Sequence, residues 1–280
     1  MTYVDPLCTW SGIEFILKYS VAMKYSMRLK RAVKIVVERL VPPGREGIEH
    51  YDKAIPAEVL EDDFYLGLQS LASNDNIRTI LEIGSSSGEG STKALTDGIL
   101  SRTSTTGVEL HCLEISSIRF NNLKEHYSAL EFVKVHRMSS VGMNSFPTFK
   151  ELKRFYRSTP SILNNYTFDE VSSWLQKDIE YLSQNLKELS SSIGDIDIFG
   201  IDWIQREYNI EDFDLVVIDG GEFLGWAEYS LLKGADWICL DDINSFKCRR
   251  AYDDLIAGNS YNLVQENWQT RNGWAIFRKK

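Results

Sequence analysis

The sequence predicts an α/β protein built on a doubly wound, mostly parallel sheet, with helices before it and a long helical insert within it. Three observations predict this. Short apolar runs rich in Val, Ile and Leu alternate with helix-length stretches from residue 79 onward. The last two runs, Tyr261 to Glu266 and Trp274 to Arg278, join through Arg271-Asn272-Gly273 and read as a closing antiparallel hairpin. Acidic and small residues gather just after the runs, where sheets of this kind bind ligands.

Composition sets the outer limits. A chain of 280 residues with 43% apolar and 25% charged residues matches soluble globular proteins, which excludes a disordered, collagenous or disulfide-framework class. Apolar runs such as Leu215 to Ile218 are too short to span a bilayer. Met1 to Trp10 contains Asp5 and Pro6 and lacks a basic start, so no signal peptide is predicted. Cys8, Cys112, Cys239 and Cys248 form no C-x-x-C pair. That argues against zinc and for a reducing, cytoplasmic location.

The net charge of −9 argues against a nucleic-acid partner. It conceals a basic segment: Phe15 to Arg45 holds eight basic residues and one acid, Glu38. Ala22, Leu29, Val33, Val36, Val37 and Leu40 recur there at helical spacing beside a face of Lys24, Arg28, Arg31 and Lys34. The expectation is a basic-faced helix packed on the protein or on a twin subunit, in preference to a membrane surface. Residues 1–59 are thus read as an N-terminal helical extension and 60–280 as the main domain.

The elements follow in order. Pro42-Pro43-Gly44 ends the basic helix, and a second helix is predicted from about Pro56 to Ala72. Thr79 to Ile83 is the first strand, Gly84 to Gly90 a small-residue turn, and Ser91 to Leu100 a helix. Val108 to Leu113 and Phe132 to Val135 are the second and third strands, separated by a helix over Ser117 to Tyr127. Met138 to Asp212 shows no parallel strand and one clear helix, opened by a Thr167–Glu170 capping box and striped by Val171, Leu175, Ile179, Leu182, Leu186 and Leu189. Its length and its place after the third strand predict a lid, pocket wall or subunit contact at the carboxyl ends of the strands. Asp214 to Asp219 and Trp237 to Leu240 are the fourth and fifth strands, followed by a helix from about Lys247 to Ala257.

Strand ends supply the candidate site. Gly84, Gly88 and Gly90 let the backbone turn sharply and approach a ligand. Glu82 sits at the end of an apolar strand, where a carboxylate needs hydrogen bonds. Glu114 closes the second strand, where an acid can accept both hydroxyls of a ribose. Asp219 follows the fourth strand, and Asp241-Asp242 the fifth.

Leu81 to Gly90, taken with Glu114, resembles the cofactor-binding motifs of class I S-adenosylmethionine-dependent methyltransferases. The resemblance spans roughly residues 60–137 and 213–280. It implies a Rossmann-like seven-stranded sheet whose last strand inserts antiparallel. It also implies that Glu82, Gly84, Ser85, Gly88, Ser91, Glu114 and Asp219 hold S-adenosylmethionine, with Ser139 and Ser140 at the adenine edge. Asp219, Asp241 and Asp242 look like the metal ligands of cation-dependent O-methyltransferases. Clustered acids need a compensating cation, and Mg²⁺ suits such oxygen donors. The pair after the fifth strand is Asp-Asp where that family has Asp-Asn or Glu-Asp. Glu222 stands where the family carries lysine or histidine, which makes it the candidate base, with Lys247 as the fallback. The expected function is Mg²⁺-assisted methylation of a hydroxyl on a small molecule or sugar. An NAD-type oxidoreductase and a non-catalytic binding protein of the same fold are the alternatives.

Overall fold

A computed structural model describes residues 58–193 and 199–280. Residues 1–57, with the predicted basic helix and Cys8, lie outside the described residues. Helix α1 (Asp63–Ala72) precedes β1 (Thr79–Ile83), α2 (Ser91–Leu100), β2 (Glu109–Leu113), α3 (Ser117–His126) and β3 (Val133–His136). Three helices follow: α4 (Phe149–Ser158), α5 (Phe168–Ile193) and α6 (Gly200–Glu207). The chain then returns through β4 (Leu215–Ile218), α7 (Gly225–Leu231), β5 (Trp237–Asp241), α8 (Phe246–Ala257), β6 (Tyr261–Asn267) and β7 (Trp274–Lys279).

The seven strands lie in the order β3-β2-β1-β4-β5-β7-β6. All neighbouring pairs among the first five are parallel, and β7 runs antiparallel between β5 and β6. This is the Rossmann-like sheet with an inserted antiparallel strand that the sequence predicts. Both faces are covered, so the strands are apolar on both sides. Leu81, Ile83, Val216, Ile218, Ile238 and Leu240 pack one face with Ile201, Ile204, Tyr229 and Leu255 from α6, α7 and α8. Ile80, Leu110, Cys112, Leu215, Val217 and Cys239 pack the other with Phe64, Leu68, Leu95 and Ile99 from α1 and α2.

Register sets up the site. Ile83 lies opposite both Leu113 and Ile218, and Ile218 opposite Leu240. The residues that follow, Gly84, Glu114, Asp219 and Asp241, therefore emerge side by side along one edge.

Most element ends fall within a residue of the sequence reading, and two stretches depart from it further. Helix α1 starts at Asp63, well after Pro56, because Glu61 is left-handed at φ 49° and Asp62 caps the helix by accepting from the Tyr65 N–H at 2.9 Å. The Met138–Asp212 stretch holds α4 and α6 as well as the expected helix. Helix α4 fully buries only Leu152 and carries four basic residues, so its apolar stripe is thin, although Thr148 and Glu151 close a capping box. Helix α6 is only eight residues long. The Thr167–Glu170 box closes as its spacing predicts, with Glu170 N donating to Thr167 Oγ1 at 3.3 Å and Thr167 N to Glu170 Oε2 at 2.8 Å.

These helices touch the carboxyl edge of the sheet. Ile162 N donates to Asn244 O beyond β5 at 2.8 Å, and Gly200 N to Ser139 O beyond β3 at 2.8 Å. Leu152, Leu163, Val171 and Leu175 form a separate apolar cluster with Phe223 and Phe246, which follow β4 and β5. Among the described residues, no helix is long and apolar enough to cross a membrane.

Candidate active site

The first turn is shaped by close packing as much as by ligand access. Gly84 has φ +85°, and a Cβ there would lie 2.2 Å from the Asp219 carbonyl oxygen. Gly88 has φ +87°, and its carbonyl accepts from the Tyr127 hydroxyl at 2.5 Å. Beneath the turn, Glu82 is fully buried and accepts from Thr92 Oγ1 at 2.7 Å through Oε2. Its Oε1, with Ser85 Oγ and Ser87 Oγ, is buried without a hydrogen-bond partner. Such orphaned groups are costly unless something completes them, so the turn fits a polar ligand. Ser91 is buried in the first turn of α2.

Glu114 faces this turn across the gap between β1 and β2. Its Oε2 accepts from Ser86 N at 3.0 Å and its Oε1 from Ser116 N at 2.7 Å, with Arg119 at 3.4 Å. Burial pushes its carboxyl above the usual range, opposed by Arg119 and the backbone N–H groups. Each oxygen retains a lone pair that can accept a hydroxyl. Ser139 and Ser140 follow β3, but their hydroxyl protons are committed within the chain. Ser139 Oγ donates to Val141 O at 2.6 Å, and Ser140 Oγ to Glu228 Oε1 at 2.6 Å.

Glu228, on α7, is a site residue the sequence reading missed. It is wholly buried, its Oε2 has no partner, and burial raises its carboxyl to about 7. The available signal was one acid on the buried side of a short helix, beside Gly225 and Tyr229.

The structure brings Asp219, Asp241 and Asp242 together, with one carboxylate oxygen from each within 4.8 Å of the others. Burial raises Asp219 to about 6, moderated by Lys247, and raises Asp241 well above the carboxylate range, aided by Asp219 and Asp242. Cations already sit among them. Lys247 Nζ is 2.7 Å from Asp219 Oδ1 and 2.5 Å from Asp242 Oδ2. Arg271 Nη2 is 2.6 Å from Asp241 Oδ1, and its other terminal nitrogen pairs with Asp62. These two side chains give each of the three acids a cationic partner, so the charge compensation that a metal would supply is already built into the fold. Lys247 does not suit the fallback role of base either. Burial lowers its proton affinity, but Asp219, Asp242 and Asp241 more than reverse this and hold it as an ammonium.

Glu222 is partly exposed, and its Oε1 accepts from Phe246 N at 3.0 Å at the start of α8. Burial, reinforced by Asp242 and opposed by Lys247, raises its carboxyl to about 8. A carboxylate with that proton affinity suits general base work near neutral pH.

No protein-family model matches the chain. No curated protein matches it either. Solved structures with a similar course of the chain include an O-methyltransferase from Bacillus cereus in complex with SAH, 17% identical, covering 89% of this chain and 97% of its own at a TM-score of 0.46. An SAH-bound methyltransferase from Podospora anserina is 17% identical over 90% of this chain and 96% of its own, at a TM-score of 0.42. A methyltransferase from Geobacter sulfurreducens is 8% identical over 89% and 96%, at 0.44. Likeness at this level carries no residue's role across to this chain.

Proposed function

We propose that this protein is an S-adenosylmethionine-dependent methyltransferase that methylates a hydroxyl oxygen of a small molecule. The observation that supports it most is the pairing of two acids across the first turn: Glu82, with a buried oxygen unpartnered, and Glu114, with acceptor capacity left on both oxygens. S-adenosylmethionine supplies a methyl group made electrophilic by its sulfonium, together with a thioether leaving group. Glu114 holds the ribose hydroxyls, and the Gly84–Gly90 turn with Glu82 receives the polar end. Glu222, beyond β4, takes the proton of the acceptor hydroxyl as oxygen attacks carbon in line. Alignment of the reactants supplies most of the remaining rate. Phe155 of α4 packs against Phe246 at the start of α8, and Phe246 against Phe223 beyond β4, which supports an acceptor pocket bounded by the helices at this edge.

The experiment is a methyl-transfer assay with labelled S-adenosylmethionine against a panel of hydroxylated sugars and phenols. Label is expected on oxygen. Label on nitrogen or carbon alone, or hydride transfer with NAD in its place, overturns it.

A further inference from the structure

We propose that Lys247 is the built-in cation of this site: its ammonium stands where a divalent metal is otherwise expected and donates its remaining N–H to the acceptor oxygen. This deepens the methyl-transfer reading and rests on it.

Four observations carry the inference. The Nζ atom lies between Asp219 and Asp242 at 2.7 and 2.5 Å, hydrogen-bonded to the first and ion-paired with the second, so N–H capacity is left for a substrate. The ammonium is placed against two physical preferences. Lys247 is 7% exposed, and it lies in the first turn of the twelve-residue α8, where the helix dipole disfavours a positive charge. Something specific must offset that cost, and the two carboxylates do. Asp242, whose carboxylate meets Nζ, sits at φ 56°, an uncommon conformation for a residue with a side chain. Finally, Arg271 occupies Asp241 from the hairpin loop, so the third acid is also matched without a metal.

The chemistry balances without a metal. The acceptor O–H proton passes to Glu222. The oxygen lone pair forms the new O–C bond, and the C–S bonding electrons stay on sulfur, leaving a neutral thioether. Lys247 keeps its protons throughout and stabilises the partial negative charge on the attacking oxygen, as a preorganised donor does. One N–H grips one oxygen, so a neighbouring second hydroxyl on the acceptor is unnecessary. A metal ion, by contrast, favours two adjacent oxygens.

The test reads metal binding apart from activity. Full-length protein is titrated against Mn²⁺ alone, and the free-ion electron paramagnetic resonance signal is followed. Calorimetry with S-adenosylhomocysteine runs in parallel, so failure of the cofactor reading shows separately. The wild type is expected to leave the Mn²⁺ signal undiminished. Lys247→Met, which keeps an apolar stem of similar length, is expected to free the acids and gain one bound ion, and Lys247→Met with Asp242→Asn to lose it again. Turnover of the wild type should withstand exhaustive chelation. One ion held by the wild type and lost in Asp242→Asn overturns the proposal. So does a Lys247→Met protein that is folded by circular dichroism yet gains no ion. If that variant does not fold, the wild-type titration with its Asp242→Asn control still decides.

Discussion

Glu222 gives the site its expected pH response. A base must be unprotonated to work, and burial raises this carboxyl to about 8, so turnover should climb as pH rises through that value. Glu222→Gln keeps the acceptor for Phe246 N and loses the base. Its turnover should fall by roughly 10²–10⁴-fold with S-adenosylhomocysteine affinity unchanged, and the rise with pH should vanish. A steady-state pH profile of both proteins checks this. Glu228 makes a claim on stability. Its carboxyl rises from 4.5 to about 7 on burial, so the folded state binds the proton more tightly than the unfolded one. That contribution is complete below the ordinary carboxyl range and is lost as pH rises through about 7, by up to about 3 kcal/mol. Glu228→Gln retains the acceptor for Ser140 and should flatten that part of the curve in urea unfolding from pH 5 to 8. An unchanged slope would assign the pH dependence elsewhere. The acids at the strand ends were legible in the sequence because each directly follows an apolar run. Their cations were not. Lys247 meets Asp219 from 28 residues away and Arg271 meets Asp241 from 30, across contacts that only the folded sheet creates.

At the scale of elements, α7 and α8 cross where Gly225 leaves no room. A Cβ there would lie 2.1 Å from the Lys247 carbonyl oxygen, which is backbone and cannot swing aside. Gly225→Ala should therefore force the helices apart, cost on the order of 1–3 kcal/mol by the usual scale of overpacking, and displace the Lys247 ammonium. Thermal unfolding of the variant reads the first effect. Most elements could be read ahead of the structure because strands buried on both faces are continuously apolar and the amphipathic stripe of α5 is long. Helix α4 escaped notice because its exposed face is basic and its buried face narrow, even though its capping residues, Thr148 and Glu151, signal a helix start. The start of α1 was placed too early for a different reason. The preceding Pro56 to Glu61 looks compatible with a helix, and only the left-handed turn at Glu61 and the Asp62 cap fix where winding begins.

For the whole molecule, the fold accounts for where chemistry can occur: strand register brings the ends of β1, β2, β4 and β5 to one edge, and the 138–212 stretch is tied to it through Ile162 at Asn244 and through Ser140 at Glu228. The seven-stranded sheet with its antiparallel last strand was implied by the motif resemblance, whereas the contacts of that stretch depend on packing among distant segments that no local pattern encodes. The central claim is that this edge binds S-adenosylmethionine through Glu114. Calorimetric titration with S-adenosylhomocysteine, with NAD as control, tests it most directly on the wild type and Glu114→Ala. One S-adenosylhomocysteine should bind per chain, NAD should not, and Glu114→Ala should lose roughly 2–4 kcal/mol of binding free energy, the scale of two charge-assisted hydrogen bonds. Absence of S-adenosylhomocysteine binding by the folded wild type, or an affinity unchanged in Glu114→Ala, would contradict the account.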